Sequence, residues 1–303
     1  MDGLLVIDKP QGLTSHDVVA AARRLLGESR IGHTGTLDPL ATGVLPLVIG
    51  RATRLARFLA SADKEYDATI RFGITTDSYD ITGTETGRSD AAPPEADVAR
   101  AIAGLTGEYL QAPPPFSAKK VGGRRAYDLA RRQEEVTPAP VPVRVARAEL
   151  REYAAGRARV VLTSSAGFYV RSFAHALGTA TGAGACLEAL RRTRSGHLGL
   201  DAALALDDLG NPALVASHFV PIDRLLPGLP AVTVTAGGRI RVAHGQELEP
   251  GDYDPHGLLP PVPWPPDPSS PAWIRLLDAD GRLVGLATGG SRTGSLHPTL
   301  VLI

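Results

Sequence analysis

The chain of 303 residues is 43% hydrophobic, 21% charged and 5% aromatic, so it can bury a core and fold as one large domain or two. Its 32 basic residues are balanced by 32 acidic ones, which argues against coating nucleic acid by net charge and leaves room for a local basic face. A single cysteine, Cys186, excludes a disulfide framework and a cysteine-rich zinc site; MDGLLVIDKP is not a signal peptide and no run approaches the ~18 apolar residues of a membrane span, so a cytoplasmic protein is expected.

In chain order, GLLVID (3–8) has the composition of a short strand, closed by the turn KPQG. Ser15 is the expected cap of a helix in which Val18, Val19, Ala22, Leu25 and Leu26 recur at helical spacing, with Gly27 ending it. RIGHTGTLDPLATGVLP (30–46) then sets five Gly or Pro and three Thr around one carboxylate, Asp38. Fixed backbone angles and side-chain hydrogen-bonding groups make this a shaped loop that presents an acid, followed by the strand VLPLVIG. YDATIRF (66–72) alternates strictly, with Tyr66, Ala68, Ile70 and Phe72 on one face of a half-buried strand. TDSYDITG (76–83) is a turn-rich loop and 95–105 a helix. APPPFSAKKVGGRRAYDLARRQ (112–133) begins as a rigid proline segment and continues as a basic helix, with six basic residues and one acid in 119–132.

VRVARAEL and RARVVLTSS have strand composition, whereas YVRSFAHALGTATG and CLEALRRTRSG are expected as helices. The mixture lacks regular βαβ alternation, so the expected class is α+β: a mixed, largely antiparallel sheet flanked by helices. PGLPAV (227–232) has linker composition. Beyond it VTVT, RIRVAHGQEL, WIRLLDADGRLVGLATGG and PTLVLI are expected as short strands. The expected division is 1–226 and a small β-rich domain 227–303. Nine prolines in 250–271 predict an extended or disordered insertion there.

No G-x-x-x-x-G-K-[ST], H-E-x-x-H or G-x-S-x-G occurs, and GAGACL (182–187) lacks the third glycine and the preceding strand of a dinucleotide site. Eight scattered histidines argue against a metal site. Asp38 has no acidic neighbour in its loop for two-carboxylate glycosidase chemistry, although a distant acid such as Asp80 could fold close to it. What remains is a lone aspartate acting as nucleophile or base beside cations and aromatics, or an aspartate that caps the turn before Pro39.

GHTGTLDPLATGVLPLVIGRATR (32–54) closely resembles the catalytic stretch of the TruB family of pseudouridine synthases. DKPQGLTSHDVV (8–19), KEYDATIRFGITTDSYDITG (64–83), PPPFSAKKVGGRRAYDLAR (113–131), GFYVRSFAHALG (167–178) and LRRTRSG (190–196) match further blocks in the family's order. Phe116 stands where the family often has Tyr, and the tail resembles an RNA-binding PUA β-barrel only loosely, with the proline insertion interrupting it.

The resemblance implies isomerisation of a uridine in the tRNA T-loop, conventionally position 55, without a cofactor, on the tRNA T-arm and with no obligate protein partner; the sequence shows no clear interface signal, so a monomer is expected. It makes Asp38 the catalytic acid, which could attack C6 of uracil, attack C1′ of ribose or remove the 2′ proton. Arg171 would hold that carboxylate through its guanidinium fork. Tyr66 would stack on the flipped uracil, with a part in deprotonating C5 left open; Tyr169 would brace Asp38 or the ribose. Leu190 would form a wall under the base, His33 would replace a lost base contact, and Asp80 would bind the base or its Tyr and Arg neighbours. Lys9 and Pro10 would support the site. Lys119 and Arg124, with Lys120, Arg125, Arg131, Arg132, Arg191, Arg192 and Arg194, would contact the RNA backbone. The competing readings are a non-catalytic tRNA-binding chaperone and a hydrolase that releases free uracil.

Overall fold

Alternation in the strand Lys64–Phe72 turns sequence directly into position. Lys64, Tyr66, Ala68, Ile70 and Phe72 are buried, and the residues between them are half-covered. Arg157–Ser164 pairs antiparallel on one side and Ala185–Ser195 on the other, so Tyr66 lies opposite Leu162 and Arg192. The computed structural model describes residues 1–90, 92–116, 139–254 and 272–303, with the backbone of 120–121 and 124–125.

These strands are the middle of an eleven-stranded mixed sheet. Along its main path the order is Ala203–Ala205, Gly3–Lys9, Thr42–Ile49, Ala185–Ser195, Lys64–Phe72, Arg157–Ser164, Val141–Ala154 and Gly107–Gln111. Gly3–Lys9 with Ala203–Ala205 and Thr42–Ile49 with Ala185–Ser195 are parallel; the other pairs on this path are antiparallel. The expected α+β class and the predominance of antiparallel pairing hold.

Several local expectations do not. CLEALRRTRSG forms most of the central strand Ala185–Ser195, not a helix. Leu, Glu, Ala and Arg favour helix locally, but pairing on both edges overrides that preference. Two register shifts, at Leu187/Ala189 and Arg192/Arg194, bend this strand beside the site. The first helix, Ser15–Leu26, is capped by Thr14, not Ser15: Thr14 accepts from the Asp17 amide and the Asp17 carboxylate accepts from the Thr14 amide. Gly27 ends it in the left-handed region, as expected. Lys120–Val121 and Arg124–Arg125 pair as two short strands where a helix was expected; the rest of the basic run lies outside the described residues.

The tail is a five-stranded sheet ordered Tyr253–Asp254, Ala231–Val234, Ile274–Leu277, Leu283–Gly289, Leu296–Val301. Among the described residues its two edge strands do not pair with each other, although a single bridge joins Leu248 to Leu296, so the expected barrel is not closed among them. Ala231 and Val232, read as linker, begin its second strand. The first half of RIRVAHGQEL (239–248) lies in the helix Ala236–Ala243, because the Thr235 hydroxyl accepts from the Gly238 amide and so caps a helix start. Tyr253–Asp254 is paired strand inside the stretch expected to be extended or disordered; residues 255–271 lie outside the described ones.

Two apolar clusters flank the large sheet. One joins Leu5, Ile7, Leu45, Tyr66 and Ile70 to the helices Ser15–Leu26, Glu95–Gly104 and Val170–Thr181. The other joins Leu4, Val6, Val44 and Val48 to Leu283, Leu286, Leu300 and Leu302 of the tail sheet. Arg51 Nη1 donates to the Leu302 carbonyl at 2.5 Å and the Leu283 amide to Asp223 Oδ1 at 2.7 Å, tying the tail to the sheet's back.

Candidate active site

The loop between the paired strands Ile31–His33 and Thr42–Ile49 carries Asp38, and it is fastened at nearly every residue. The Ser15 hydroxyl accepts from the Leu37 amide at 2.8 Å and donates to the Leu37 carbonyl at 3.1 Å. The Gly12 amide donates to the Pro39 carbonyl at 2.8 Å. Lys9, fully buried, donates to the carbonyls of Ala41 at 2.6 Å and Pro10 at 2.9 Å. Arg192 reaches both flanks of the loop, donating from Nη2 to the Gly35 carbonyl at 3.0 Å and from Nε to the Val44 carbonyl at 2.7 Å. Gly43 is needed beside it: φ is +97°, and a Cβ would stand 2.2 Å from the Arg192 carbonyl oxygen.

Asp38 makes its turn with the backbone, its carbonyl accepting from the Ala41 amide at 3.0 Å. The carboxylate is thereby left for Arg171, whose Nη2 donates to Oδ1 at 3.2 Å and whose Nε lies 2.8 Å from Oδ2. The Arg171 side chain is 7% exposed and that of Asp38 38%, so the acid faces outward from a buried cation. Arg171 also donates to the carbonyls of Ser78 at 3.0 Å and Phe116 at 2.9 Å, and Asp80 Oδ2 lies 3.8 Å from its Nε. Three groups from two other segments, the Ser78 and Phe116 carbonyls and the Asp80 carboxylate, therefore fix the guanidinium, and the guanidinium fixes Asp38.

Arg171 can reach them because Tyr169 precedes its helix as the N-cap. The Gln111 amide group accepts from the Tyr169 N–H at 2.8 Å and donates to its carbonyl at 3.1 Å. Asp80 is held in turn: Oδ1 accepts from the Thr82 amide and hydroxyl at 3.0 and 2.5 Å, and the Ile81 amide donates to the Leu187 carbonyl at 2.8 Å.

Tyr66, Leu190 and Arg192 share the inward face, Arg192 opposite Tyr66 and Leu190 opposite Ala68. His33 is half-buried with Nδ1 unpartnered; burial and then the Arg192 charge hold its pKa below the ordinary value. Burial also lowers Lys9 to about 8, against the opposing pull of Asp38.

Asp38, Arg171 and Asp80 are thus in one network, with Tyr66, Leu190 and His33 grouped around Arg192. Arg192 is 1% exposed and cannot touch an RNA backbone, which corrects that expectation. Arg191 pairs with Asp8 at 2.6 Å and Arg194 with Glu65 at 3.7 Å. Lys119, Arg131 and Arg132 lie outside the described residues, as do the side chains of Lys120, Arg124 and Arg125. Ser15 and Gln111 were missed as site supports. The pattern TSHD, a capping box on Thr14, carried the signal that Ser15 was free for another task. No cluster of three or more His, Cys, Asp or Glu suited to a metal ion occurs among the described residues, and none of their helices is long and apolar enough to cross a membrane.

The architecture has close counterparts among solved structures. A chain of a Cbf5-Nop10-Gar1 complex superposes with a TM-score of 0.74 at 25% identity, covering 99% of this chain and 85% of that one. A chain of an H/ACA RNP bound to a substrate RNA containing 2'-deoxyuridine superposes with a TM-score of 0.73 at 23% identity and the same coverage. The fold is therefore of the Cbf5/TruB-like α+β class.

Residues 23–170 match the N-terminal domain of the TruB family of pseudouridylate synthases. The chain is 41% identical over 307 residues to the tRNA pseudouridine synthase B of Solibacter usitatus, covering 100% of both chains. It is 44% identical over 249 residues to that of Symbiobacterium thermophilum, with 81% of this chain and 82% of that one covered. The chain belongs to the TruB family of pseudouridine synthases.

Proposed function

We propose that the chain isomerises a uridine of the tRNA T-loop, position 55, to pseudouridine, with Asp38 as the reacting acid. One observation carries this reading: an outward-facing carboxylate at the tip of a loop fastened at several residues, gripped from behind by a buried guanidinium. An aspartate so held is aimed at one point in space, as nucleophile or base chemistry at an extruded nucleotide requires.

The uridine leaves its stack and enters beside Tyr66 and Leu190, which share the inward face with Arg192. Asp38 acts on the uracil or the ribose, the C1′–N1 bond breaks, the base turns, and C1′ bonds to C5. The C5 proton is then removed and N1 gains one, so nothing is consumed. Tyr66 stacks on the base, His33 fills the vacated place, and Tyr169 and Asp80 brace the Asp38–Arg171 pair. The T-arm is held by the basic segment containing Lys119 and Arg124 and by the tail, residues 227–303, acting as an RNA-binding domain attached to a catalytic domain of residues 1–226. The chain works as a cytoplasmic monomer with no further partner.

The test is an unmodified tRNA transcript incubated with the protein, then carbodiimide labelling and primer extension. One new stop in the T-loop, absent with Asp38→Asn, is expected. Free uracil in place of pseudouridine would make the protein a hydrolase. Tight binding without any base change would make it a chaperone.

A further inference from the structure

Tyr79 is one of three non-glycine residues with left-handed backbone among the described ones, at φ 65°. A bulky side chain rarely adopts this conformation, and where one does, the surrounding structure must hold it there. Here the Tyr79 carbonyl accepts from the Leu187 amide at 3.0 Å, and its ring lies flat on the His175 imidazole, centroids 3.9 Å apart and planes 6° from parallel. Burial pushes the phenol up and the imidazole down, so two neutral rings meet at neutral pH.

His175 follows Arg171 by one turn of the helix Val170–Thr181, so both side chains project from the same helix face. Arg171 takes the Ser78 carbonyl and stands by the Asp80 carboxylate, while His175 takes the Tyr79 ring between them. Two side chains of one helix thus grip three consecutive loop residues. With Tyr79 in the ordinary right-handed or extended region, the flanking carbonyl and carboxylate would not converge on one guanidinium.

We infer that the Tyr79–His175 stack is a positioning clamp, which holds the left-handed turn that presents Ser78 and Asp80 to Arg171 and so keeps Arg171 aligned on Asp38. The inference rests on Asp38 being the reacting acid. Neither ring touches the reacting atoms in this account; both act through Arg171.

Single-turnover rate and tRNA dissociation constant are measured for a set of full-length variants. Tyr79→Phe and His175→Phe keep a stack and are expected within threefold of the parent rate. Tyr79→Gly, which suits the backbone but loses the ring, and His175→Ala are each expected to slow turnover about tenfold with the dissociation constant unchanged. The double variant Tyr79→Gly/His175→Ala is expected no slower than either single one, because both remove the same contact. Parental turnover in Tyr79→Gly or His175→Ala, losses that multiply in the double variant, or failure of the Phe variants to retain activity would each overturn the clamp. The underlying reading fails separately, if Asp38→Asn still forms pseudouridine.

Discussion

Charge is handled in opposite ways on the two faces of the strand Lys64–Phe72. On the outward face Asp67 pairs with Arg159 at 2.6 Å, Arg71 with Glu188 at 3.3 Å, and Glu65 with Arg194 at 3.7 Å. On the inward face Lys64 donates to the carbonyls of Ala60 and Ala62, and Arg192, across from Tyr66, to those of Gly35 and Val44. Lys9, two strands beyond that of Arg192, does the same toward Ala41. None of these three cations has a carboxylate partner among the described residues. Exposed pairs are screened by water and contribute little, while a buried cation is costly to desolvate. The inward cations therefore serve geometry: each ties down backbone that positions the aspartate loop or the strand beneath it. Arg171 is the exception, since among the described inward cations it alone meets carboxylates, and one of them is Asp38.

The largest break in this contrast is expected from Arg171→Lys. A lysine cannot serve Asp38, Ser78 and Phe116 together, so turnover should fall about a hundredfold, roughly 2.7 kcal/mol, with tRNA affinity kept. Steady-state kinetics that match the parent would reject the pairing. Arg192→Met comes next. It leaves the Gly35 and Val44 carbonyls without that donor, at about 1–3 kcal/mol each, but relieves a buried charge, so urea unfolding should shift less than the two carbonyls alone would give. Turnover should fall at least tenfold, about 1.4 kcal/mol. Normal turnover by the folded variant would make Arg192 a purely structural residue.

A smaller effect sharpens the comparison through pH. Burial lowers Lys9 from 10.5 to about 8. Between those values the unfolded chain keeps a proton that the folded one has released, so raising the pH favours the folded state. The cost of burying the ammonium is thus present in full below pH 8 and relieved toward pH 10.5. Parent protein should gain stability relative to Lys9→Met across that window, read from urea midpoints; parallel curves would contradict it. Arg159→Gln, on the outward face, should leave both urea midpoint and turnover unchanged within error.

Much of this was legible in the sequence where local pattern and tertiary role agree. Alternation from Tyr66 to Phe72 gave the inward face, and the Gly, Pro and Thr around Asp38 gave the shaped loop. Resemblance of the GFYVRSFAHALG block named Arg171, which local sequence alone would have left on the surface. Residues 185–195 were misread because their composition is that of a helix and their strand state is imposed by neighbours 113 and more positions away in the chain. Arg192 was misplaced for the same reason: only the register opposite Tyr66 shows that its side chain points in. Ser15 lay hidden behind Thr14, whose capping box has the same residue types one position earlier.

The spacing of these contacts along the chain has a consequence for synthesis. Asp38 and its lysine support emerge early, but Arg171 comes 133 residues after Asp38 and Arg192 148 after Val44. Such remote pairings form slowly and only once the later segments have been made. A nascent chain therefore carries an unarmed aspartate loop through more than half of its translation, and the site is assembled only when the strand through Ser195 has cleared the ribosome.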